Sequence, residues 1–259
     1  MNYIYRYLLK YYVFWFTKWG CLFMNISFID VLTKPLKLKT ILILLLNLFL
    51  LFLPAILSAK FLGIENWVFK IVFAVALIIL NGYFWTIFQH ELEEDNDDFP
   101  KWHFINNFFI GLKGIVFLLA SVAILALGLF FLWLLAQHVP TSENIAFIIA
   151  IVWSLYWLLM HNAVAMGIFS EKFNPVEAIK FPTIAEIITS CWLNYIIAGF
   201  YMVTYIFIIS MVGWACVIFF GPASTNFVIV FFVVYAVIVY FLLYANVFSQ
   251  IRTEFESHF

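Results

Sequence analysis

Hydrophobic positions fall into six long runs separated by short polar joints. At about 1.5 Å rise per residue, a helical run of about 20 residues crosses a hydrocarbon core of about 30 Å. A backbone inside lipid must satisfy its own hydrogen bonds, and the ten-residue alternation of a β-barrel is lacking. The pattern therefore predicts an all-α membrane protein with six transmembrane helices, paired as three hairpins. The predicted spans are residues 40–59, 67–89, 112–137, 145–169, 192–220 and 227–250.

Lysine and arginine are unevenly shared between the joints. With the N-terminus inside, 11 of the 13 basic residues lie on the inner side, and only Lys60 and Lys70 lie outside. Basic residues near span ends are retained in the cytoplasm. We therefore expect a multi-pass protein of the cell inner (plasma) membrane with both termini cytoplasmic. Lys34, Lys37 and Lys39, which precede the first span, are the expected anchors at the inner face.

Each predicted hairpin is preceded by a lead-in segment of mixed apolar and polar residues, at 27–39, 99–113 and 174–190. Helical spacing of these residues predicts short amphipathic helices at the cytoplasmic face. Residues 1–26 are rich in Tyr and Trp, but their longest uncharged run is too short to span a bilayer. This combination predicts an N-terminal aromatic helix that lies in the membrane interface. Residues 27–259 then form the six-helix transmembrane domain.

The composition supports a membrane protein and excludes several classes of function. Hydrophobic residues make up 66% of the 259 positions and charged residues 10%, whereas soluble domains are about half apolar and a quarter charged. A net charge of -1 argues against a nucleic-acid surface. Three scattered cysteines lack the spacing of a zinc site or a disulfide framework. We expect no cofactor, and the expected partners are the lipid bilayer and a protein partner or second copy of the chain.

One stretch resembles a known family. Gly82-Tyr83 in a predicted span is followed by an acidic turn, by Pro100 and Trp102, and by Gly111-Leu112-Lys113 at the start of the next span. This order resembles the domain-of-unknown-function family 4013 of prokaryotic membrane proteins, over roughly residues 25–250. Members often carry basic residues between the Gly-Tyr and the acidic turn, whereas Thr86, Gln89 and His90 stand there in this chain. The resemblance implies the architecture and no activity.

A few polar residues lie inside the spans. Asn81, Asn162 and Asn246 recur in the even-numbered spans at intervals of 81 and 84 residues, and His161 precedes the second of them. The recurrence suggests a threefold internal repeat. Polar residues at this depth face the interior of a bundle. They are candidates for a polar lumen, and interhelical hydrogen bonding is the more ordinary interpretation.

The acidic run at 91–98 offers a second candidate. Glu94, Asp95, Asp97 and Asp98 supply the oxygen ligands that a divalent cation prefers, but the EF-hand pattern fails. A solvated joint that caps the next helix is the favoured interpretation. We therefore predict no metal site.

No motif of an enzyme is present. Neither a nucleophile elbow, nor His-Glu-x-x-His, nor a phosphate-binding glycine loop occurs, and no charged residue lies deep in a span. We therefore expect a non-enzymatic membrane protein without catalytic residues, which organises lipids or partner proteins at the cytoplasmic face. The alternative is a permease or lipid-handling channel with a polar lumen between the hairpins. A polar cavity of about 300 Å³ or more, open toward one face, would favour the alternative.

Overall fold

The computed structural model describes residues 31, 34–93, 99–138, 143–221 and 225–257. These residues form eight α-helices, with a 3₁₀ turn at Lys34–Leu36 before the first and a π-helical turn at Trp157–His161 between the fourth and fifth. The helices are α1 (Leu38–Leu62), α2 (Trp67–Glu93), α3 (Phe104–His138), α4 (Glu143–Tyr156), α5 (Asn162–Lys172), α6 (Pro175–Ala178), α7 (Phe181–Phe220) and α8 (Thr225–Ser257).

Six helical segments are long and apolar enough to cross a membrane, as the hydrophobic runs predict. The fourth span consists of α4, the π-helical turn and α5 in succession. The all-α prediction is therefore confirmed over the described residues, where no strand occurs. The spans are Ile43–Leu62, Trp67–Glu93, Phe104–Leu134, Ile145–Lys172, Cys191–Phe219 and Val228–Arg252. The proposed N-terminal helix at 1–26 lies outside the described residues.

The three lead-in segments differ from one another. The first contains the 3₁₀ turn before α1, and the second is non-helical from 99 to 103 and then continues as the start of α3 from Phe104. In the third, α7 begins at Phe181, and Cys191 breaks the helical geometry with φ −132° and ψ 26°. Among the described residues of the lead-ins, the third contains helical segments set off from the span, namely α6 and the segment Phe181–Ser190 before the break at Cys191.

Successive spans contact each other in antiparallel order, so their ends alternate between two sides. We call the side with Leu38, Glu93, Phe104, Lys172 and Phe181 the basic side, and the side with Leu62, Trp67, Phe220 and Thr225 the turn side. Contacts that fix this order are Phe52–Phe73, Trp85–Phe117, Trp153–Leu125 and Tyr195–Tyr244. The sequence predicts that the basic side is cytoplasmic.

An aromatic cluster forms the core where α2, α3, α5 and α8 meet. Trp85 is fully buried, and its ring lies 5.4 Å from that of Phe117, 4.7 Å from that of Phe169 and 4.9 Å from that of Phe241. All three contacts are edge-to-face, the geometry that aromatic quadrupoles favour. The core lies on the basic side, whereas many large apolar side chains of α3, α4 and α7 toward the turn side are exposed and suited to lipid.

Glycine brings α2 and α3 into backbone contact. A Cβ atom on Gly82 would lie 1.7 Å from the carbonyl oxygen of Asn107, and one on Gly111 would lie 1.9 Å from that of Ile78. No other residue fits such a crossing, which is a common use of small residues between membrane helices. The crossing fixes the position of Asn81, which precedes Gly82.

Candidate functional site: a cavity between the helices

The π-helical turn sets the orientation of the central asparagine. The backbone N–H of Asn162 donates to the carbonyl of Trp157, five residues earlier, instead of the usual four. This extra residue shifts the helical register between α4 and α5. Single π turns inside helices are rare and are frequent at functional sites.

Asn162 is buried and fully hydrogen-bonded. Its Oδ1 accepts from Ser121 Oγ at 2.9 Å, and its Nδ2 lies 3.4 Å from the hydroxyl oxygen of Tyr240 and 3.6 Å from Met166 Sδ. The carbonyl of Ser121 in turn accepts from Trp157 Nε1 at 3.0 Å. These bonds join the fourth span to α3 and α8, so Asn162 has the interhelical role that its depth predicts.

Asn81 uses one amide hydrogen to bond the neighbouring helix. Its Nδ2 donates to the carbonyl of Gly111 at 3.0 Å, a bond that depends on the close crossing of α2 and α3. One turn further on, Thr86 Oγ1 donates to the carbonyl of Gly82 at 3.0 Å and lies 3.2 Å from Asn107 Oδ1. Asn81 therefore keeps its Oδ1 and a second amide hydrogen for other partners.

A cavity of about 330 Å³ brings Asn81 and Asn162 together. Its wall is otherwise apolar except for the hydroxyl of Tyr240 and the indole N–H of Trp85. The lining residues are Leu77, Leu80, Asn81, Phe84, Trp85, Leu118, Asn162, Met166, Val237, Tyr240 and Phe241. None of these described residues is charged. At about 1.5 Å rise per residue, Asn81 lies about 20 Å from either end of α2, near the middle of its span.

The buried residues of the cavity wall lie next to the aromatic core, and its most exposed residues lie toward the turn side. Trp85, Met166 and Phe241 are buried on the basic side of the cavity, next to the aromatic core. Leu77 and Leu118 lie toward the turn side and are 46% and 39% exposed. A molecule inside would therefore be reached through the half of the bundle whose apolar side chains suit lipid.

The indole N–H of Trp85 is a buried donor with no acceptor among the described residues. Its nitrogen lies against α3, 2.2 Å from the position that a Cβ on Gly114 would occupy. Leaving such a donor unsatisfied costs about 1–3 kcal/mol. The indole nitrogen therefore lies at the contact between α2 and α3, because Gly114 does not line the cavity.

The structure does not bring His161 and Asn246 into the cavity lining. His161 is 2% exposed, neither ring nitrogen has a hydrogen-bond partner within the described part, and its ring lies 6.2 Å from that of Phe181. Asn246 accepts from Gln250 Nε2 at 2.7 Å on the same helix. Tyr240 occupies the place at the cavity that the repeat assigns to Asn246, which lies about 9 Å further along α8.

The other predicted site residues lie at the basic side. Lys34 Nζ is 2.5 Å from Glu91 Oε2, and both side chains are 14% exposed, so this pair ties the start of α1 to the end of α2. Lys37 is exposed, and Lys39 lies in the first turn of α1. The proposed cation ligands Glu94, Asp95, Asp97 and Asp98 lie outside the described residues. Within those residues, no group of three or more candidate metal ligands occurs.

Sequence reasoning missed three residues of the site. Ser121, Tyr240 and Trp85 each place a polar atom in the middle of an apolar run, which is the signal that singled out the asparagines. Ser and Tyr are common enough in spans to carry little weight alone. Their importance follows from the partners that the fold gives them.

Comparisons with known proteins do not indicate a function for this chain. No family model, no curated protein and no solved structure matches the chain. The resemblance to domain-of-unknown-function family 4013 therefore stays a prediction from the motifs.

Proposed function

We propose that this chain is a non-enzymatic membrane protein that binds a lipid-like molecule in the cavity between its helices. This takes up the lipid-handling part of the alternative in the sequence analysis, with a mainly apolar cavity in place of the polar lumen. The observation that carries it is the cavity of about 330 Å³ that contains both Asn81 and Asn162. Ligand sites occupy about 300–1,000 Å³ and combine apolar walls with a few placed polar groups, which is the composition of this wall.

The apolar wall separates lipid handling from the transport of hydrophilic solutes. A permease for ions or polar solutes requires a hydrated path, and charged residues mark such paths in membrane helices. The described residues of the cavity wall contain two amides, one phenol and one indole as their polar groups, with no charge. An amphipathic molecule from the bilayer is a better match, because its apolar part matches the wall and its polar part matches the amides.

A catalytic role has less support than binding. An enzyme built on His161 requires a serine or a carboxylate within hydrogen-bond distance. In the part of the chain that the structure describes, neither ring nitrogen of His161 has a hydrogen-bond partner. We therefore keep the non-enzymatic proposal.

Filling the cavity tests the proposed function. Leu118→Trp places a larger side chain in the cavity wall, and Leu119→Trp makes the same change on the adjacent residue, which is 67% exposed and does not line the cavity. Native mass spectrometry after purification in mild detergent reports retained lipid. We expect wild type and Leu119→Trp to retain a lipid-sized ligand and Leu118→Trp to lose it. Equal retention by all three proteins would contradict the proposal.

The orientation is part of the proposal. The excess of Lys and Arg on the basic side supports a cytoplasmic location for it and for both termini, in the cell inner membrane. Single cysteines at Asp97 and at Asn144, in a background without other cysteines, are to be labelled with a membrane-impermeant maleimide on intact cells. We expect labelling at 144 only. Labelling of both positions from one side would refute the six-span topology.

Organisation of lipids or partner proteins at the cytoplasmic face is the second candidate. The first turns of α7, before the break at Cys191, favour it: Ile184 and Ile188 are buried, whereas Thr183 and Glu186 are exposed. An amphipathic helical segment of this kind suits the headgroup region of the bilayer. It would act together with the three predicted lysine anchors.

Neutralising the lysines tests this candidate. Because Lys34 is paired with Glu91, the double change of Lys37 and Lys39 to Gln is to be compared with the double change of Lys60 and Lys70 to Gln on the turn side. In vesicles that contain anionic lipid, we expect only the variant of Lys37 and Lys39 to lose enrichment of anionic lipid around the protein. The same enrichment in both variants and wild type would show that these lysines are not anchors.

A further inference from the structure

We infer that the ligand of the cavity is an uncharged lipid with a free hydroxyl, which donates a hydrogen bond to Asn81 Oδ1. The inference rests on the proposed function and names the chemical class of its ligand. Two kinds of membrane molecule supply such a hydroxyl, namely a diacylglycerol and a long-chain isoprenoid alcohol. The experiment below distinguishes these two sources.

Asn81 lies at the centre of the face of α2 that lines the cavity. Residues three and four apart share one side of a helix, so this face is continuous over two turns. The lining residues of α2 are Leu77, Leu80, Asn81, Phe84 and Trp85. The side chain of Asn81 is partly exposed, whereas those of Phe84 and Trp85 are buried. A ligand in the cavity is therefore able to contact the amide of Asn81.

The contact with α3 determines which atom of this amide is left for a ligand. Asn81 Nδ2 donates to the carbonyl of Gly111 at 3.0 Å. A carbonyl only accepts, so turning the amide over would place two acceptors against each other. Among the described residues no donor is bonded to Asn81 Oδ1, and this oxygen is not one of their fully buried polar atoms. Asn81 Oδ1 is therefore an accessible acceptor that lacks a donor.

The second amide of the cavity wall already has its partners within the protein. Asn162 Oδ1 accepts from Ser121 Oγ at 2.9 Å, and Asn162 Nδ2 lies 3.4 Å from the hydroxyl oxygen of Tyr240 and 3.6 Å from Met166 Sδ. A donor on the ligand therefore gains more from Asn81 Oδ1 than from Asn162 Oδ1.

The depth and the neutral wall of the cavity restrict the kind of donor. Asn81 lies about 20 Å from either end of α2, where an ammonium group would be an isolated buried charge. None of the described lining residues carries a charge that would compensate it. A hydroxyl is neutral, donates to Asn81 Oδ1 and accepts from the remaining N–H of the same amide. The Leu and Phe side chains of the wall suit the hydrocarbon chains of such a lipid.

A second cavity of the chain provides an internal comparison. An apolar groove of about 330 Å³ lies between α1 and α8, and its lining includes Leu48 and Phe52. Its described lining contains no amide, and its one polar side chain is Tyr235. We expect a lipid held in this groove by apolar contact to bind equally well with and without a hydroxyl. A preference for the hydroxyl that depends on Asn81 therefore reports on the cavity.

The experiment compares ligands that differ in the hydroxyl alone. Purified full-length protein is titrated with a 1,2-diacylglycerol and with its analogue in which hydrogen replaces the hydroxyl. A long-chain isoprenoid alcohol and the parent hydrocarbon form the second pair, and native mass spectrometry gives the dissociation constants. We expect wild type to bind at least one alcohol about three- to tenfold more tightly than its own analogue. The pair that shows the preference identifies the source of the hydroxyl.

Two variants assign the preference to Asn81. Asn81→Leu is similar in size and lacks the amide, so it should bind the analogues as wild type does and lose most of the preference. Asn246→Leu removes an amide that does not line the cavity and should retain the preference. An undiminished preference in folded Asn81→Leu would overturn the inference.

The wild-type titrations decide the inference even if Asn81→Leu does not fold. Equal binding of each alcohol and its analogue by wild type overturns the inference and leaves the proposed function standing. Such a result would also be expected if water satisfied Asn81 Oδ1. Binding of none of the four compounds by wild type contradicts the proposed function itself.

Discussion

The crossing of α2 and α3 at Gly82 makes alanine at this position a sharp test of the fold around the cavity. The new Cβ would lie 1.7 Å from the carbonyl oxygen and 2.6 Å from the carbonyl carbon of Asn107. Both atoms belong to a helix backbone, so the two helices must separate by more than an ångström. Overpacking of this kind costs about 1–3 kcal/mol or more.

Separation of the helices also strains the polar contacts across the crossing. The hydrogen bond from Asn81 to the carbonyl of Gly111 and the contact of Thr86 with Asn107 are each worth about 0.6 kcal/mol. Alanine gains back about 1 kcal/mol over glycine in helix propensity. We therefore expect Gly82→Ala to lower the free energy of unfolding by about 2 kcal/mol or more.

Gly213→Ala is the matched control for this prediction. Its Cβ would lie 3.3 Å from the ring edge of Phe232, which is a side chain that can move, so we expect a change of less than about 1 kcal/mol. Reversible unfolding in mixed micelles with increasing mole fraction of dodecyl sulfate measures both variants. Equal stability of Gly82→Ala and Gly213→Ala would refute the close crossing.

Three further predictions concern individual contacts. Ser121→Ala removes the interhelical bond to the cavity asparagine and should cost about 0.6–1.7 kcal/mol in the same unfolding assay, whereas Ser154→Ala, which loses a bond within its own helix, should cost less. Glu91→Gln should lower stability by about 1 kcal/mol or more, because it leaves Lys34 partly buried without its counter-ion, and exchange of the two charged residues should restore most of the loss. Asn246→Ala should leave retention of the cavity ligand unchanged by native mass spectrometry, because Asn246 bonds within α8 and does not line the cavity; a lost ligand would contradict the assignment.

Much of the fold is predictable from the sequence because the bilayer imposes simple rules. Runs of 20 or more apolar residues can only be helices in lipid, so the number and position of the spans follow directly. The start of the helix that contains Gly111 was harder to predict from the sequence. Polar and apolar residues from 99 to 113 suggested a separate interfacial helix, but the structure continues α3 back to Phe104, because the glycines on α2 and α3 allow close packing there.

The site was predicted only in part, because the partners of a polar residue depend on helix packing. Depth alone singled out Asn81 and Asn162, and both reach the cavity. The repeat then assigned Asn246 to the same level. It lies elsewhere because the register of α8 brings Tyr240 to the cavity instead. The π-helical turn before Asn162 has no marker in the sequence, since its residues Trp157–His161 are ordinary members of a membrane helix.

Photo-crosslinking in native membranes tests the binding of a lipid-like molecule in the cavity most directly. Cells are supplied with a fatty acid that carries a diazirine near the middle of its chain, the membranes are irradiated, and the modified residues are mapped by peptide mass spectrometry. We predict adducts at Leu80, Phe84 and Met166, which line the cavity and are buried from the surrounding lipid, beyond the adducts on lipid-facing residues such as Leu119 and Phe207. Adducts confined to the lipid-facing residues would contradict the binding of a lipid inside the bundle.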